Sequence, residues 1–569
     1  MAKAITVCFK NPVKKDISTL AKKIAKRIEP NNIHAKQPYI SKNENTISLI
    51  YNPALTILKD GVNYCLGTCE HDDSLFKYNA PLPNGSYALF RVENERVEIA
   101  SDYAASRTLW YYHDNEIFMA STSQRLIVSF LGDFKLNNKA CSWFLCTGTL
   151  GPGLSWDERI KIVPPRTRLK LNRNNWKVEI DHNQNFNFDR TENEEKTELS
   201  HEAQLKNAVE ETIKGLKLDT SKWTLALSGG MDSRSLLYHL KGKNLNAVTW
   251  GLDKALDLPT SDASIAKNLA QNCNMEHSYA KMDFNPNSFP ILLERFLAAG
   301  EGRLDHLAAY LDGLELWGQL SASGRGVIRG YDAFGRKPPV TNSYQVRRTC
   351  NLMTSFDYTS SDIPEDFIVN YEDIPEHLHQ KENESLGDWR DRLWLQHRTP
   401  ITTAALEDIK LAYVEVINPL LSQKIVSSIQ QVPIELRTNK KIWRSIVSEM
   451  FPEIPFAKRE AVQEVGQILN LPEVQSYICE SLEQKKELGI FPEAFIEKLV
   501  KNYNKDQRTQ SARRKMRRLI IAYLPKSIEN KIRSKLKAGP LSNQWLALRT
   551  LMILKTNEMF TSDAQVKQL

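Results

Sequence analysis

No stretch of 18 or more consecutive apolar residues occurs in the chain, so no segment reads as a transmembrane helix. The opening residues, MAKAITVCFKNPVKK, carry lysines but no apolar core of the kind a secretory signal needs, and the expectation is a cytoplasmic protein with no membrane partner. No C-x-x-C pair is present. The eight cysteines (Cys8, Cys65, Cys69, Cys141, Cys146, Cys273, Cys350 and Cys479) are scattered, and Cys65 and Cys69 lack a second pair at zinc-site spacing. Such thiols suit a reducing compartment and argue against a disulfide scaffold. No internal repeat or low-complexity tract stands out. Acidic charge is scarce in one place only. The net charge is 76 − 68 = +8, and residues 501–540 hold thirteen Lys/Arg against two acids, or +11, which leaves 8 − 11 = −3 for the remainder. One segment therefore makes the chain basic, and the overall charge says nothing about the main body. With 569 residues, 41% hydrophobic and 25% charged, the chain can bury a large core without staples; at roughly 150 residues per domain it suits two or three folding units.

The first 125 residues read as β-rich. AITVCF, TISLIY, SYALFRV, VEIAS, TLWYYH and IFMAS are short apolar or alternating runs separated by turn residues. Helical patterns follow at 123–131 and 139–146, then one more strand-like run, TRLKLN. Residues 180–200 are polar and acid-rich and form the best linker, with a helix expected after it from an N-cap at Ser200. Beyond this the order changes to strand (223–227), helix (233–240), strand (247–250) and helix (264–271). That βαβα alternation predicts a parallel sheet covered by helices, followed from about residue 285 by mostly helical chain. The expected fold class is α/β, with a β-rich domain over 1–195, an α/β domain over 200–500 and a basic helical extension over 501–569.

The strongest local signal is Leu225-Ala226-Leu227-Ser228-Gly229-Gly230-Met231-Asp232-Ser233-Arg234, at a strand–helix junction. Gly229 and Gly230 allow positive φ and close approach of the backbone to a ligand. Successive N–H groups in such a turn make an anion-binding concavity, and the helix start adds partial positive charge. Ser228 and Ser233 can donate to phosphate oxygens. Asp232 would repel an anion unless Mg²⁺ lies between them. The plainer alternative is a Gly-rich turn with Ser and Asp as caps.

This segment resembles the pyrophosphate loop of N-type ATP pyrophosphatases, which cleave ATP between the α- and β-phosphates to adenylate a carboxylate or similar oxygen. Residues 86–131 (SYALFRVENERVEIASDYAASRTLWYYHDNEIFMASTSQRLIVSFL) resemble the N-terminal domain of the glutamine-dependent asparagine synthetase family. Ser261-Asp262-Ala263, Ile328-Arg329-Gly330-Tyr331-Asp332-Ala333-Phe334-Gly335, Val416-Ile417-Asn418-Pro419-Leu420-Leu421, Lys440-Lys441-Ile442-Trp443-Arg444 and Ala457-Lys458-Arg459 follow in that family's order, so the likeness spans roughly residues 1–470. It implies a degenerate Ntn-hydrolase-like sandwich followed by an adenine nucleotide α-hydrolase-like sheet. The implied activity is an AMP-forming carbon–nitrogen ligase using ATP and Mg²⁺.

Two departures shape that expectation. Glutaminase-active members begin their mature chain with Cys, whereas here Met1 precedes Ala2 and Lys3, and Cys8 lies inside the first strand. The N-terminal domain therefore resembles a catalytically dead glutaminase. The family's second acidic loop has lost one Gly and a Glu, with Tyr331-Asp332-Ala333 in their place, which puts aspartate in doubt as the substrate. A Tyr there resembles the β-lactam synthetases; lasso-peptide macrolactam cyclases are another branch with a reduced glutaminase domain.

The resemblance implies that Asp232 and Asp332 bind the metal. Backbone at Leu225, Ala226 and Leu227 and near Trp250 would hold adenosine, and Ser228, Gly229, Gly230, Ser233 and Gly330 would surround the phosphates. Lys458 would stabilise charge on the adenylate, with Lys440 or Arg444 assisting pyrophosphate. Tyr331, with Glu407, would deprotonate the attacking amine, and Asp262 and Glu301 would stand behind the site. The plainer alternatives are a turn Asp at 332 and a surface Lys at 458. The expected substrates are a small-molecule or peptide carboxylate and an amine or ammonia, in specialised-metabolite or peptide biosynthesis. The basic segment would meet an acidic partner or leader peptide, or present only a solvated face, and a homodimer is admitted. The alternatives are an ammonia-using asparagine synthase or glycan amidotransferase, and a non-catalytic or RNA-associated relative. A direct test is glutamine hydrolysis: no glutamate release is expected, whereas free ammonia or an amine should support turnover.

Overall fold

A computed structural model describes residues 3–12, 17–54, 57–182, 197–331, 338–458, 461–504 and 538–566. Twelve strands build the N-terminal part: β1 (Lys3–Phe9), β2 (Tyr39–Lys42), β3 (Thr46–Tyr51), β4 (Leu58–Asp60), β5 (Asn63–Cys69), β6 (Gly85–Val92), β7 (Arg96–Ser101), β8 (Trp110–His113), β9 (Ile117–Ser121), β10 (Lys161–Ile162), β11 (Thr167–Asn172) and β12 (Lys177–His182). They form two six-stranded antiparallel sheets, β10-β8-β9-β1-β3-β2 and β12-β11-β7-β6-β5-β4. Strand β1 shows why its sequence is an almost unbroken apolar run. Ala4 and Cys8 point into the space between the sheets, with Ile50, Leu66 and Phe90. Ile5 and Val7 point the other way, into a core shared with Leu126 and Ile127 of the helix Gln124–Leu131. A strand buried on both faces has no polar side to alternate with. Burial pushes the Cys8 thiol up to about 11, so it is no nucleophile. The helix Ile17–Ile28, absent from the β-rich reading, packs on the same side.

The second layer system is a parallel sheet of β13 (Trp223–Ala226), β14 (Asn246–Gly251), β15 (His277–Lys281), β16 (Gly326–Arg329) and β17 (Val416–Ile417), ordered β15-β14-β13-β16-β17. The molecule is thus mixed α/β. Trp223 and Leu225 face one core with Leu236, Leu237 and Leu240 of the helix Met231–Leu240, while Ala226 and Val327 face the other. The order reverses beside β13, the geometry that leaves a crevice at the carboxyl ends of the strands. The expected helix after the linker starts earlier than predicted. Thr197, not Ser200, is the N-cap of Glu198–Gly215, its extended backbone letting Oγ1 accept from Ser200 N–H at 3.2 Å.

The basic segment singled out above falls largely in 505–537, outside the described residues. The helix beyond it, Asn543–Gln565, is a core element. Arg549 Nε donates to Asp305 Oδ2 (2.7 Å), and Asp563 accepts from Arg125 Nε (2.6 Å) and Arg27 Nε (3.0 Å). Among the described residues no helix is long and apolar enough to cross a membrane.

Buried polar contacts join the sandwich to the sheet. Lys3 Nζ pairs with Glu301 Oε1 at 2.9 Å, Arg107 pairs with Glu415, and Tyr103 Oη donates to Gln430 Oε1 at 2.6 Å. Arg107 and Glu415 are 3% and 2% exposed, so removing one partner strands the other charge. Arg107→Met is expected to lower stability by about 3–5 kcal/mol, and Arg107→Met/Glu415→Leu to recover most of that, in urea denaturation.

Candidate functional site

The site grows from the end of β13. Leu225 and Ala226 lie in ladders to both β14 and β16, so the sheet uses their backbone groups. Leu227 N–H donates to Val248 O (2.9 Å), and Leu227 O accepts from Thr249 Oγ1 (2.7 Å), which also meets His277 Nε2 at 2.8 Å. Burial pulls the His277 imidazole below its ordinary pKa. Trp250, expected beside adenosine, packs its ring edge-on against Trp317 at 5.6 Å.

The loop that follows is tied by its own side chains. Ser228 N–H donates to Ser233 Oγ (3.0 Å), Gly230 N–H to Ser228 Oγ (3.2 Å) and Gly229 N–H to Asp262 Oδ1 (2.8 Å). This differs from the expected row of outward N–H groups. Positive φ is not the reason for the glycines either: Gly230 has φ −78°, and Gly229 is not among the residues with positive φ. Close approach is the reason. A Cβ on Gly229 would lie 2.7 Å from Ala457 Cβ, and one on Gly330 would lie 2.5 Å from the Asp232 carbonyl carbon. Gly230 caps the helix Met231–Leu240 without a side-chain hydrogen bond, and Gly330 packs against the first turn.

Asp232 stands in that first turn. Its carboxylate accepts from Trp443 Nε1 (2.8 Å) and pairs with Lys440 Nζ (3.0 Å). Asn439 and Lys440 both adopt left-handed backbone, φ 55° and 56°, where the chain turns into the helix Lys441–Met450. Lys440 thus reaches Asp232 from a turn of two consecutive left-handed residues. Arg444 is exposed on the same helix. Asp332, the expected second metal carboxylate, lies outside the described residues. A single carboxylate beside a helix start, completed by phosphate oxygens, suits the oxygen-seeking, water-retaining Mg²⁺. Among the described residues no group of three His, Cys, Asp or Glu could hold a metal by itself.

At the end of β16, Tyr331 is held by Asn418, whose Nδ2 donates to Tyr331 O at 2.7 Å. Arg329 lies 4.7 Å over the Tyr331 ring and pairs with Glu407, whose Oε1 also meets Lys410 Nζ at 3.3 Å. The structure thus brings Tyr331 and Glu407 to one guanidinium. Burial would raise the Glu407 carboxyl, but Arg329 and Lys410 outweigh it and hold it below its ordinary pKa. Burial and the Arg329 charge pull Lys410 down to about 7 against Glu407. Arg329 and Lys410 are functional-site neighbours that the sequence does not mark; the one signal for Lys410 is its place between Ile409 and Leu411 in the helix Ala404–Leu411.

Lys458 is exposed on a strap that crosses the loop. Ala457 N–H donates to Gly229 O (3.2 Å) and Lys458 N–H to Thr260 O (2.9 Å). Glu301 does not stand behind this site. It is buried at the sandwich seam with Lys3, Ser123 and the Gln124 N–H, because its left-handed backbone at a helix end (φ 56°) turns the side chain there.

No protein-family model matches the chain, and no curated protein matches it in sequence. Among solved structures, an NMN synthetase from Francisella tularensis is similar at 15% identity and a TM-score of 0.17, over 38% of this chain and 94% of that one.

Lys410 gives a signed pH prediction. Its folded pKa lies below its unfolded value, so its protonation opposes folding fully below about pH 7, and the penalty fades as pH rises toward the ordinary lysine value. Lys410→Met should therefore exceed the wild type in stability near pH 6, with the advantage shrinking by pH 10, in paired thermal melts.

Proposed function

We propose that the chain is an ATP-dependent, AMP-forming carbon–nitrogen ligase of the asparagine synthetase type, with Mg²⁺ as its metal. It would activate a small-molecule or peptide carboxylate for attack by an amine or ammonia. The observation that supports this best is the Ser228–Ser233 loop: a pre-tied turn at the end of a central parallel strand, a helix start without a side-chain cap, and Asp232 in its first turn. In this reading the sandwich is a degenerate Ntn glutaminase fold and the parallel sheet an adenine nucleotide α-hydrolase fold, with boundaries at 1–195, 200–500 and 501–569. The placement of the protein in the cytoplasm belongs to the same reading.

The residues divide the work by position. The helix start, Ser228 and Ser233 take phosphate oxygens. Asp232 would be one oxygen ligand for the metal, in competition with Lys440, and Asp332 is the proposed second. Mg²⁺ held there would supply charge neutralisation at the phosphate oxygens. When the substrate carboxylate displaces pyrophosphate from the α-phosphorus, Lys458 faces the charge that develops there. The amine then displaces AMP, with Tyr331 and Glu407 aligned by Arg329 on the side where its proton leaves. Glutamine is not the nitrogen source in this reading.

Incubation with Mg·ATP and a panel of carboxylates and amines should release pyrophosphate and AMP. Asp232→Ala is expected to reduce that release by at least about a hundredfold. Release of ADP and phosphate instead would refute the assignment.

A further inference from the structure

Arg234 lies two residues beyond Asp232 in the same helix and is 1% exposed. Among the described residues no carboxylate pairs with it. Nη1 donates to Ile454 O at 2.6 Å, Nη2 to Pro455 O at 2.8 Å and Gly229 O at 3.5 Å, and Cζ lies 4.4 Å over the Phe456 ring. Nε is buried with no hydrogen-bond partner. Burial draws the guanidinium down to about 10. A buried cation satisfied only by carbonyls and a ring is unfavourable compared with an apolar side chain of similar volume. Space-filling alone therefore does not account for it.

Its hydrogen-bond acceptors share one property: two belong to the strap 454–458 and the third to the nucleotide loop. The strap has no helix or strand of its own. Three holds set its register. Arg234 grips Ile454 and Pro455, Gly229 O receives Ala457 N–H, and Thr260 O receives Lys458 N–H. Ala457 in turn fills the space a Cβ on Gly229 would need. A planar fork spanning successive carbonyls is what a guanidinium provides and an ammonium does not.

We propose that Arg234 is a positioning residue, which locks the strap 454–458 onto the loop and so fixes Lys458 beside the phosphates. The proposal rests on the ligase reading for the role of Lys458, but not for the lock itself.

Two measurements test it on the full-length protein. Hydrogen exchange reads the lock without any ligand. In Arg234→Met the peptide covering 452–458 should exchange at least about tenfold faster, while peptides of β13 and β14 keep wild-type protection as a control on folding. Calorimetric binding of Mg·ATP reads its consequence. Arg234→Met and Lys458→Met should each weaken binding about tenfold, and the double variant should stay within about twofold of the weaker single, because both act through one group. Arg234→Lys should recover part of both effects. Wild-type exchange in Arg234→Met, or losses that multiply in the double variant, would overturn the proposal. If the wild type itself fails to bind Mg·ATP, the ligase reading falls, and the exchange result still decides the lock.

Discussion

A carboxylate taken out of water between two packed layers needs a cation beside it, because an isolated buried charge costs several kcal/mol, on the order of 3–5 when one partner of a pair is lost. That requirement fixes how the sandwich meets the parallel sheet. Glu301 is met by Lys3 of β1, Glu415 by Arg107, and Asp563 of the last helix by Arg125 and Arg27. Glu415 immediately precedes β17, and its carbonyl accepts from Val327 N–H at 2.7 Å. The pair with Arg107 therefore anchors the starts of β16 and β17, the strands whose paired register continues to Ile328 and Ile417. The N-terminal layers are thus structurally joined to the sheet. The apolar core runs through the same boundary, with Val7, Leu297 and Leu551 in one cluster.

From that frame, close backbone packing assembles the site. Gly330 sits against the carbonyl of Asp232, and Gly229 against Ala457, so the two loops and the strap meet with no room for a side chain between them. Any substitution at either glycine has to push apart backbone or a short, stiff neighbour, not the end of a flexible chain. The arrangement explains why three segments separated by about a hundred residues each in sequence converge on one helix start: each closes a gap left by the others.

Much of this was legible in the chain, for reasons that can be named. The apolar runs of β1, β3 and β6 and the strand–loop–helix at 223–240 follow from burial on both faces and from turn chemistry. Strands β16 and β17 were not legible as strands, because four and two residues carry no period; only the sheet around them defines them. Local rules also misplaced Glu301, whose partner Lys3 is 298 residues away, and the cap at Thr197, where two hydroxyl residues compete for one helix start. Of the two properties expected of the loop glycines, positive φ is absent from both, and close approach holds at Gly229, to the protein's own Ala457 and Ile265, since sequence does not distinguish a need for positive φ from a need for space. Arg234 was hidden because its partners are carbonyls, which every residue has.

The loop's internal bonds bear on what it can do. With Ser228, Gly229 and Gly230 N–H groups already paired, the turn keeps its shape without a ligand, and no backbone has to reorganise when phosphate arrives. An anion would then meet the helix start and the Asp232 side chain, and a lone carboxylate there would repel it. Lys440 cancels that charge at 3.0 Å, and Trp443 holds the other oxygen. In the ligase reading, a divalent cation held by Asp232 would compete with Lys440 for the same carboxylate. The ion pair therefore leaves neither charge uncompensated beside the loop.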